Sequence, residues 1–338
     1  MFAPSALATA ILGSLLMSPA PLLAGENASA AAVEPNKAIK EQAIAPNLAD
    51  TSTDILALEE ERNKRLTIPV MVQGSGPYDF MIDTGSQATA VTHEINASLG
   101  LNPLGTATLV GMASARNVNI VEVESLTVGR HEVFDLVAPV LSKTHVGADG
   151  IIGLDSLQDM RVLLDFREEK IAVQDVSTLK NQRRGFEIIV RARPKLGQLL
   201  ITNAVVEGVK ATVIIDTGAQ ASIANTALKR RLRAKRSQEV ITTDVNGVSI
   251  TGDLAFVRSL QIGGLALANV PLAFADAPAF EALGLNDTPV LALGMQHLKL
   301  FDRVAIDFSK QRILFDVPRD IARAMRKARQ NSYTATFK

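Results

Sequence analysis

Apolar and polar positions alternate over short segments: Leu66 to Val72, Leu199 to Val206, Val118 through Ile120 to Val123, and Val248 through Ile250 and Leu254 to Phe256. A strand turns successive side chains to opposite faces, so this alternation predicts half-buried strands. Two further apolar runs, Tyr78 to Ile82 and Ala211 to Ile215, follow the turn signals Gly74-Ser75-Gly76-Pro77 and Glu207-Gly208. Each predicts the second strand of a hairpin. Helical character is confined to short stretches, chiefly residues 92–99 and 225–235, the latter with Asn225 as its N-cap. Many short strands and few short helices predict an all-β fold of compact lobes.

The pattern runs through the chain twice. Phe80-Met81-Ile82-Asp83-Thr84-Gly85-Ser86-Gln87-Ala88-Thr89 recurs 133 positions later as Val213-Ile214-Ile215-Asp216-Thr217-Gly218-Ala219-Gln220-Ala221-Ser222. Leu126 to Gly129 recurs at Leu260 to Gly263, and Arg161 to Phe166 recurs at Arg303 to Phe308. Three landmarks in one order mean two copies of one fold. The second copy is longer between its last two landmarks, and the extra residues are expected between Ala273 and Thr288. The lobes are therefore placed at 65–178 and 185–318, joined by a polar stretch at 176–184.

The flanks differ in character. From Ala6 to Ala24 the chain is apolar apart from Thr9, Ser14 and Ser18, with Pro19 and Pro21 near its end. That composition predicts an export signal within 1–30 and a periplasmic or secreted protein. No Lys or Arg precedes the apolar run, so retention as an N-terminal anchor is the alternative. Residues 31–64 read as a solvated linker, long enough to serve as a propeptide. Residues 319–338 form a basic tail with Ile321 and Met325 at helical spacing. This tail and the basic run Lys229 to Arg236 read as solvated helix faces, with contact to a membrane surface or a partner as the alternative.

Composition narrows the chemistry. Lys plus Arg is 35 and Asp plus Glu is 35. A neutral chain argues against a nucleic-acid partner. There is no Cys, which excludes disulfides, thiol catalysis and Cys-based zinc sites. His93, His131, His145 and His297 show no ligand spacing, so no metal is expected. What remains is the repeated Asp-Thr-Gly. A single such motif is an ordinary turn. Two copies on equivalent strands predict that Asp83 and Asp216 meet across a pseudo-twofold axis. Carboxyl groups in contact share a proton, so one serves as base toward a water while the other polarises a carbonyl. Gly85 and Gly218 would let each loop approach the pair, and the Thr84 and Thr217 hydroxyls would tie one loop to the other.

These motifs resemble those of bacterial retropepsin-like aspartic peptidases, with two such domains fused in one chain. The resemblance extends to hydrophobic-hydrophobic-Gly motifs at Ile151-Ile152-Gly153 and, more loosely, Ala292-Leu293-Gly294. It implies two pepsin-like lobes, an endopeptidase without metal or organic cofactor, a peptide or protein substrate, and Asp83 and Asp216 as the catalytic pair. With both aspartates in one chain, the resemblance implies activity as a monomer. A short helix is expected after each Gly motif, at Leu154 to Met160 and Met295 to Leu300.

The resemblance also implies a covering hairpin in each lobe. Gly111 to Arg116, with Met112, and Asp244 to Gly247, with Asn246, are the candidates. Neither has a Tyr or a Gly-rich tip. One difference between the copies carries its own expectation. Ser86 follows Gly85 where Ala219 follows Gly218, so a Ser86 hydroxyl bonded to Asp83 would favour the ionised form there and leave the shared proton on Asp216. Asp149 and Asp155 read as turn and cap residues, and Asp165 and Asp307 as a repeated structural turn or salt bridge. The alternative to an enzyme is a peptide-binding or scaffold module of the same fold.

Overall fold

The computed structural model describes residues 10–11, 15–18, 53–57, 59–60, 66–175, 185–232 and 237–325. Most of the proposed signal and linker, the join at 176–184 and the tail beyond residue 325 lie outside the described residues. The alternating segments form strands, and each copy folds around one large sheet. In the first copy the sheet runs in the order Pro103–Val110, Ala115–Val128, His131–Leu141, Ala90–Thr92, Gly150–Ile152, Ser75–Ile82 and Leu66–Val72. It closes on itself where Val70 to Val72 pair with Leu126 to Val128. The second copy repeats this order with Gln238–Asp244, Ser249–Ile262, Leu265–Phe274, Ile223–Ala224, Val290–Leu293, Val209–Ile215 and Gln198–Val206, and closes through Val205 and Val206 against Gln261 and Leu260. Closure removes most of the unpaired strand edges that an open sheet would expose. The fold is thus all-β with two lobes and a few short helices.

A third sheet joins the lobes. Its order is Ile188–Arg191, Arg312–Asp316, Arg303–Asp307, Met160–Asp165, Lys170–Asp175 and Thr53–Ala57. The repeated Arg-Val segment pairs with its own copy here, antiparallel, with Arg161 opposite Asp307 and Asp165 opposite Arg303. The pseudo-twofold axis therefore passes between these two strands. Val162, Leu164, Val304 and Ile306 are buried in the core shared by both lobes. At about 2 kcal/mol each, they bind the halves firmly. Above them Phe186 lies between the guanidinium groups of Arg161 and Arg303, 5.1 and 4.9 Å from the ring centre. Burial lowers the Arg161 pKa to about 10.

Several local expectations shift. The first hairpin turns on Gln73 and Gly74, both at positive φ (47° and 74°), and the strand resumes at Ser75. Glu207 and Gly208 do the same at 46° and 84°. Two successive positive-φ residues match the right-handed twist of the flanking strands, so the tighter turn is favoured over the Gly-Pro segment. The helix after Asn225 is Thr226–Arg231, shorter than expected, because Leu232 turns extended and buries its side chain. Asn225 does cap it, accepting from the Leu228 N–H at 3.0 Å. Residues 154–159 form turns instead of a helix. Asp159 there adopts a left-handed φ of 64°, which ends any helical path. In the helical start of the tail, Ala322 and Met325 meet the core and Ile321 faces out. The interval of extra residues in the second lobe holds the helix Pro278–Ala282.

Candidate active site

The two Asp-Thr-Gly loops meet at the centre of the molecule. Each Asp ends a buried strand, Ser75–Ile82 or Val209–Ile215. Each of these strands is backed in parallel by the hydrophobic-hydrophobic-Gly strand. Ile151 and Ile152 pair with Met81 and Ile82, and Ala292 and Leu293 pair with Ile214 and Ile215. The Asp83 N–H donates to the Ile152 carbonyl at 3.0 Å and the Asp216 N–H to the Leu293 carbonyl at 3.1 Å. Gly153 and Gly294 then pass so close behind the loops that a Cβ would collide with the backbone of Ala88 or Ala221. This is why both motifs end in Gly.

Both aspartates are buried, at 0% and 2% exposure. Asp83 Oδ1 accepts from the N–H groups of Gly85 (2.8 Å) and Ser86 (3.1 Å). Asp216 Oδ1 accepts from those of Gly218 (3.0 Å) and Ala219 (2.9 Å). A Cβ on Gly85 would strike the Asp216 carboxyl, and one on Gly218 would strike that of Asp83. Each carboxyl thus packs against the glycine of the other loop, near enough for the Asp83 charge to act on Asp216. Burial first, and the neighbouring Asp83 charge second, push the Asp216 pKa well above the usual carboxylate range, against the opposing pull of the two backbone N–H groups. The protonated form of Asp216 is therefore favoured beside Asp83.

The threonines lock the two loops. Thr84 Oγ1 donates to the Ile215 carbonyl at 2.8 Å, and Thr217 Oγ1 donates to the Ile82 carbonyl at 2.7 Å. Each hydroxyl oxygen also accepts the other loop's N–H, at 3.0 Å on Thr217 and 3.2 Å on Thr84. All four atoms are buried, so each bond also avoids the cost of an unsatisfied polar group.

Ser86 behaves differently from expectation. Its hydroxyl donates to the Ala88 carbonyl at 2.7 Å and its only bond to Asp83 is through the backbone N–H. A hydroxyl has one proton, and the loop aims the carbonyl at it. The upward shift at Asp216 thus rests on burial and the Asp83 charge, with no contribution from a Ser86 hydroxyl bond.

The other candidates divide between site and scaffold. Gly111 and Met112 lie at the tip of the hairpin between Pro103–Val110 and Ala115–Val128. Asn246 and Gly247 lie at the tip between Gln238–Asp244 and Ser249–Ile262. Met112 joins Gly85, Gln198, Ile214, Asp216 and Phe280 around a small, mostly apolar cavity beside Asp216. Asp155 accepts from Thr89 and Ser156, Asp149 pairs with Lys143, and Asp165 and Asp307 accept from turn N–H groups, all structural roles. Lys229 on the basic helix pairs with Asp253.

Sequence reasoning missed two residues here. Gln198, buried at 2% exposure, donates from Nε2 to the Gly85 carbonyl at 2.7 Å across the lobe boundary. Phe280 lies in the extra segment of the second lobe. A polar residue at the start of an apolar strand is a weak signal, and only the fold brings Gln198 to Gly85. Among the described residues no three His, Asp or Glu side chains are grouped to hold a metal ion, and no helix is long and apolar enough to cross a membrane.

Comparison with known families bears on this geometry. The family model described as aspartyl protease matches the chain over residues 68–156 and again over residues 202–296, together more than half of its length. Each match contains one of the two Asp-Thr-Gly loops. Comparison with curated proteins gave no match.

Proposed function

The chain belongs to the aspartyl protease family, and on that premise we propose that it is an endopeptidase whose catalytic pair is Asp83 and Asp216. The observation that carries the reading is a pair of buried carboxyl groups on two interlocked loops, with the pKa of Asp216 raised first by burial and then by the Asp83 charge. Asp83, ionised, takes a proton from a water lying between the two groups. The water oxygen attacks the carbonyl carbon of the scissile peptide bond, and Asp216 passes its proton to the carbonyl oxygen. The tetrahedral diol then collapses. Asp83 gives its proton to the leaving nitrogen, Asp216 takes one from a diol hydroxyl, the C–N bond breaks, and Asp216 is again protonated for the next cycle. The threonine lock holds the two loops in register, as an acid and a base must be if both are to reach one carbonyl.

A peptide would lie extended between the lobes and pair with the first strands of the two hairpins, which act as flaps. The edges of these strands accept further strands in the folded chain. Ala10–Ile11 runs parallel to Leu109 and Val110, and Leu15–Ser18 runs antiparallel to Ile241 to Asp244. The cavity beside Asp216 is lined by Met112, Ile214, Phe280 and Leu283, which favours an apolar substrate side chain there. Since one chain supplies both aspartates, the monomer is the active unit. The apolar run at Ala6 to Ala24 adds the proposal of export, which fractionation of producing cells and N-terminal sequencing of the exported form would test.

The activity is tested by incubating the protein with a diverse peptide library between about pH 3 and 8, the range in which such a pair titrates. Cleavage by the wild type that is absent from both Asp83→Asn and Asp216→Asn is the expected result. A folded wild type that binds peptides and cleaves none at any pH would make this chain a binding module.

A further inference from the structure

The two hairpin tips meet, and they are unlike. The 133-residue offset that relates Asp83 to Asp216 relates Gly111 to Asp244. These two equivalent positions touch each other, for a Cβ at Gly111 would collide with the Asp244 carboxylate. Asp244 is 1% exposed and its two oxygens accept four hydrogen bonds. Oδ1 serves its own turn, accepting from the N–H groups of Asn246 (3.0 Å) and Val248 (3.1 Å). Oδ2 reaches the other lobe, accepting from the Ala113 N–H (3.1 Å) and the Ser114 hydroxyl (2.8 Å). Asn246 Nδ2 adds a bond to Ser114 Oγ at 2.9 Å.

The apolar contacts cross in the same way. Met112 of the first tip is buried in the second lobe's cluster with Leu200, Ile214 and Phe280. Val245 of the second tip is buried in the first lobe's cluster with Met81, Val146 and Ile151. The roof over the two aspartates is thus closed, and Met112 extends from it to the cavity beside Asp216.

We propose that Asp244 is a latch. It holds the two tips together over the site, and a peptide enters only when its bonds to Ala113 and Ser114 break. The latch needs two unequal copies. Aspartate at both positions would set like charges face to face, and glycine at both would leave nothing to bridge the tips. A single chain with a diverged repeat can place the acceptor on one tip and the donors on the other. This role rests on the reading of the space below as a peptide site, yet the latch itself can be measured without any peptide.

In Asp244→Asn, Oδ1 keeps the two bonds within its own turn, while the amide nitrogen cannot accept from Ala113 or Ser114. Hydrogen exchange at the Ala113 amide is expected to quicken about tenfold in this variant with no ligand present. Unchanged exchange overturns the latch. Should Asp244→Asn fail to fold, Ser114→Ala removes one bond to the carboxylate and the bond from Asn246, with about a threefold effect expected.

The second arm uses the absence of cysteine from the chain. Ser114→Cys with Asn246→Cys places the only two thiols where the tips touch. Oxidation should form the disulfide and stop peptide hydrolysis, and reduction should restore it. An oxidised protein that hydrolyses peptides as fast as the reduced one overturns the proposal, as does a folded pair that will not oxidise. If neither form cleaves any peptide while exchange still responds to Asp244→Asn, the latch stands and the protease reading fails.

Discussion

The Asp83 loop and the Asp216 loop receive the same backbone bonds but rest on different side chains. Behind the first loop, Thr89 Oγ1 accepts from the Gly153 N–H and lies against Asp155 and Ser156, at 2.6 Å from each. Behind the second, Ser222 Oγ accepts from the Gly294 N–H and meets His297 Nδ1 at 2.7 Å. An acid therefore backs one loop and a base the other. Burial raises the Asp155 pKa, though bonds from Thr89 and Ser156 oppose it, and burial lowers the His297 pKa. The front of the site, where the two Asp-Thr-Gly loops interlock, has kept its symmetry. The back, which only has to hold a loop in place, has diverged.

The sharpest way to break this comparison is at the front. Asp83→Asn and Asp216→Asn are each expected to lower kcat/KM at least about a thousandfold, since each removes half of an acid–base pair. Survival of one variant would mean the two aspartates are not equivalent partners. Asp216→Asn should also be the more stable protein at neutral pH. The raised native pKa makes Asp216 bind a proton more tightly in the folded than in the unfolded chain, so wild-type stability falls as pH rises above about 4 and the variant lacks this loss. Urea unfolding at several pH values reads it directly.

The next test is the lock between the loops. Thr84→Val and Thr217→Val each strand a buried carbonyl and a buried N–H of the opposite loop. Each should cost about 3 kcal/mol in urea unfolding, and the two costs should agree within about 1 kcal/mol. A clear inequality would show that one lobe carries the lock.

Smaller effects should separate the backs. His297 holds fewer protons in the native state than in the unfolded chain, so it withdraws stability as pH falls below about 6.5. Asp155 holds more, so it withdraws stability as pH rises above about 4. His297→Gln should remove the loss of stability as pH falls below about 6.5, and Asp155→Asn the loss that sets in as pH rises above about 4. Identical profiles would erase the distinction. The smallest effect belongs to Ser86→Ala, which gives the first loop the second loop's residue. Its hydroxyl bonds only the Ala88 carbonyl, so about 1 kcal/mol of stability should go while the acid limb of the pH–rate profile stays in place.

Much of this was readable before folding because it is local or repeated. Alternation predicts strands, Asn225 announces its helix, and Asp-Thr-Gly found twice predicts a meeting of two acids. The pairing of the Arg161 segment with its copy at Arg303, by contrast, appears only in the folded sheet. The misreadings came where two local choices were nearly equal. Gln73-Gly74 and Gly74 to Pro77 are both turn signals, and strand twist selects the first. Residues 154–159 are expected to be helical, but the left-handed Asp159 leaves a chain of turns.

The sequence by itself determined the two-lobed all-β architecture and the identity of the paired aspartates, because periodicity and repetition are properties of the chain alone. Only the tertiary structure decided that burial raises the Asp216 pKa, that Gln198 holds the Gly85 carbonyl, and that Asp244 bonds Ala113 and Ser114 across the tips. Each of these depends on a contact between residues more than a hundred positions apart. A carboxylate's neighbours, its burial and its charge environment exist only once both lobes are in place.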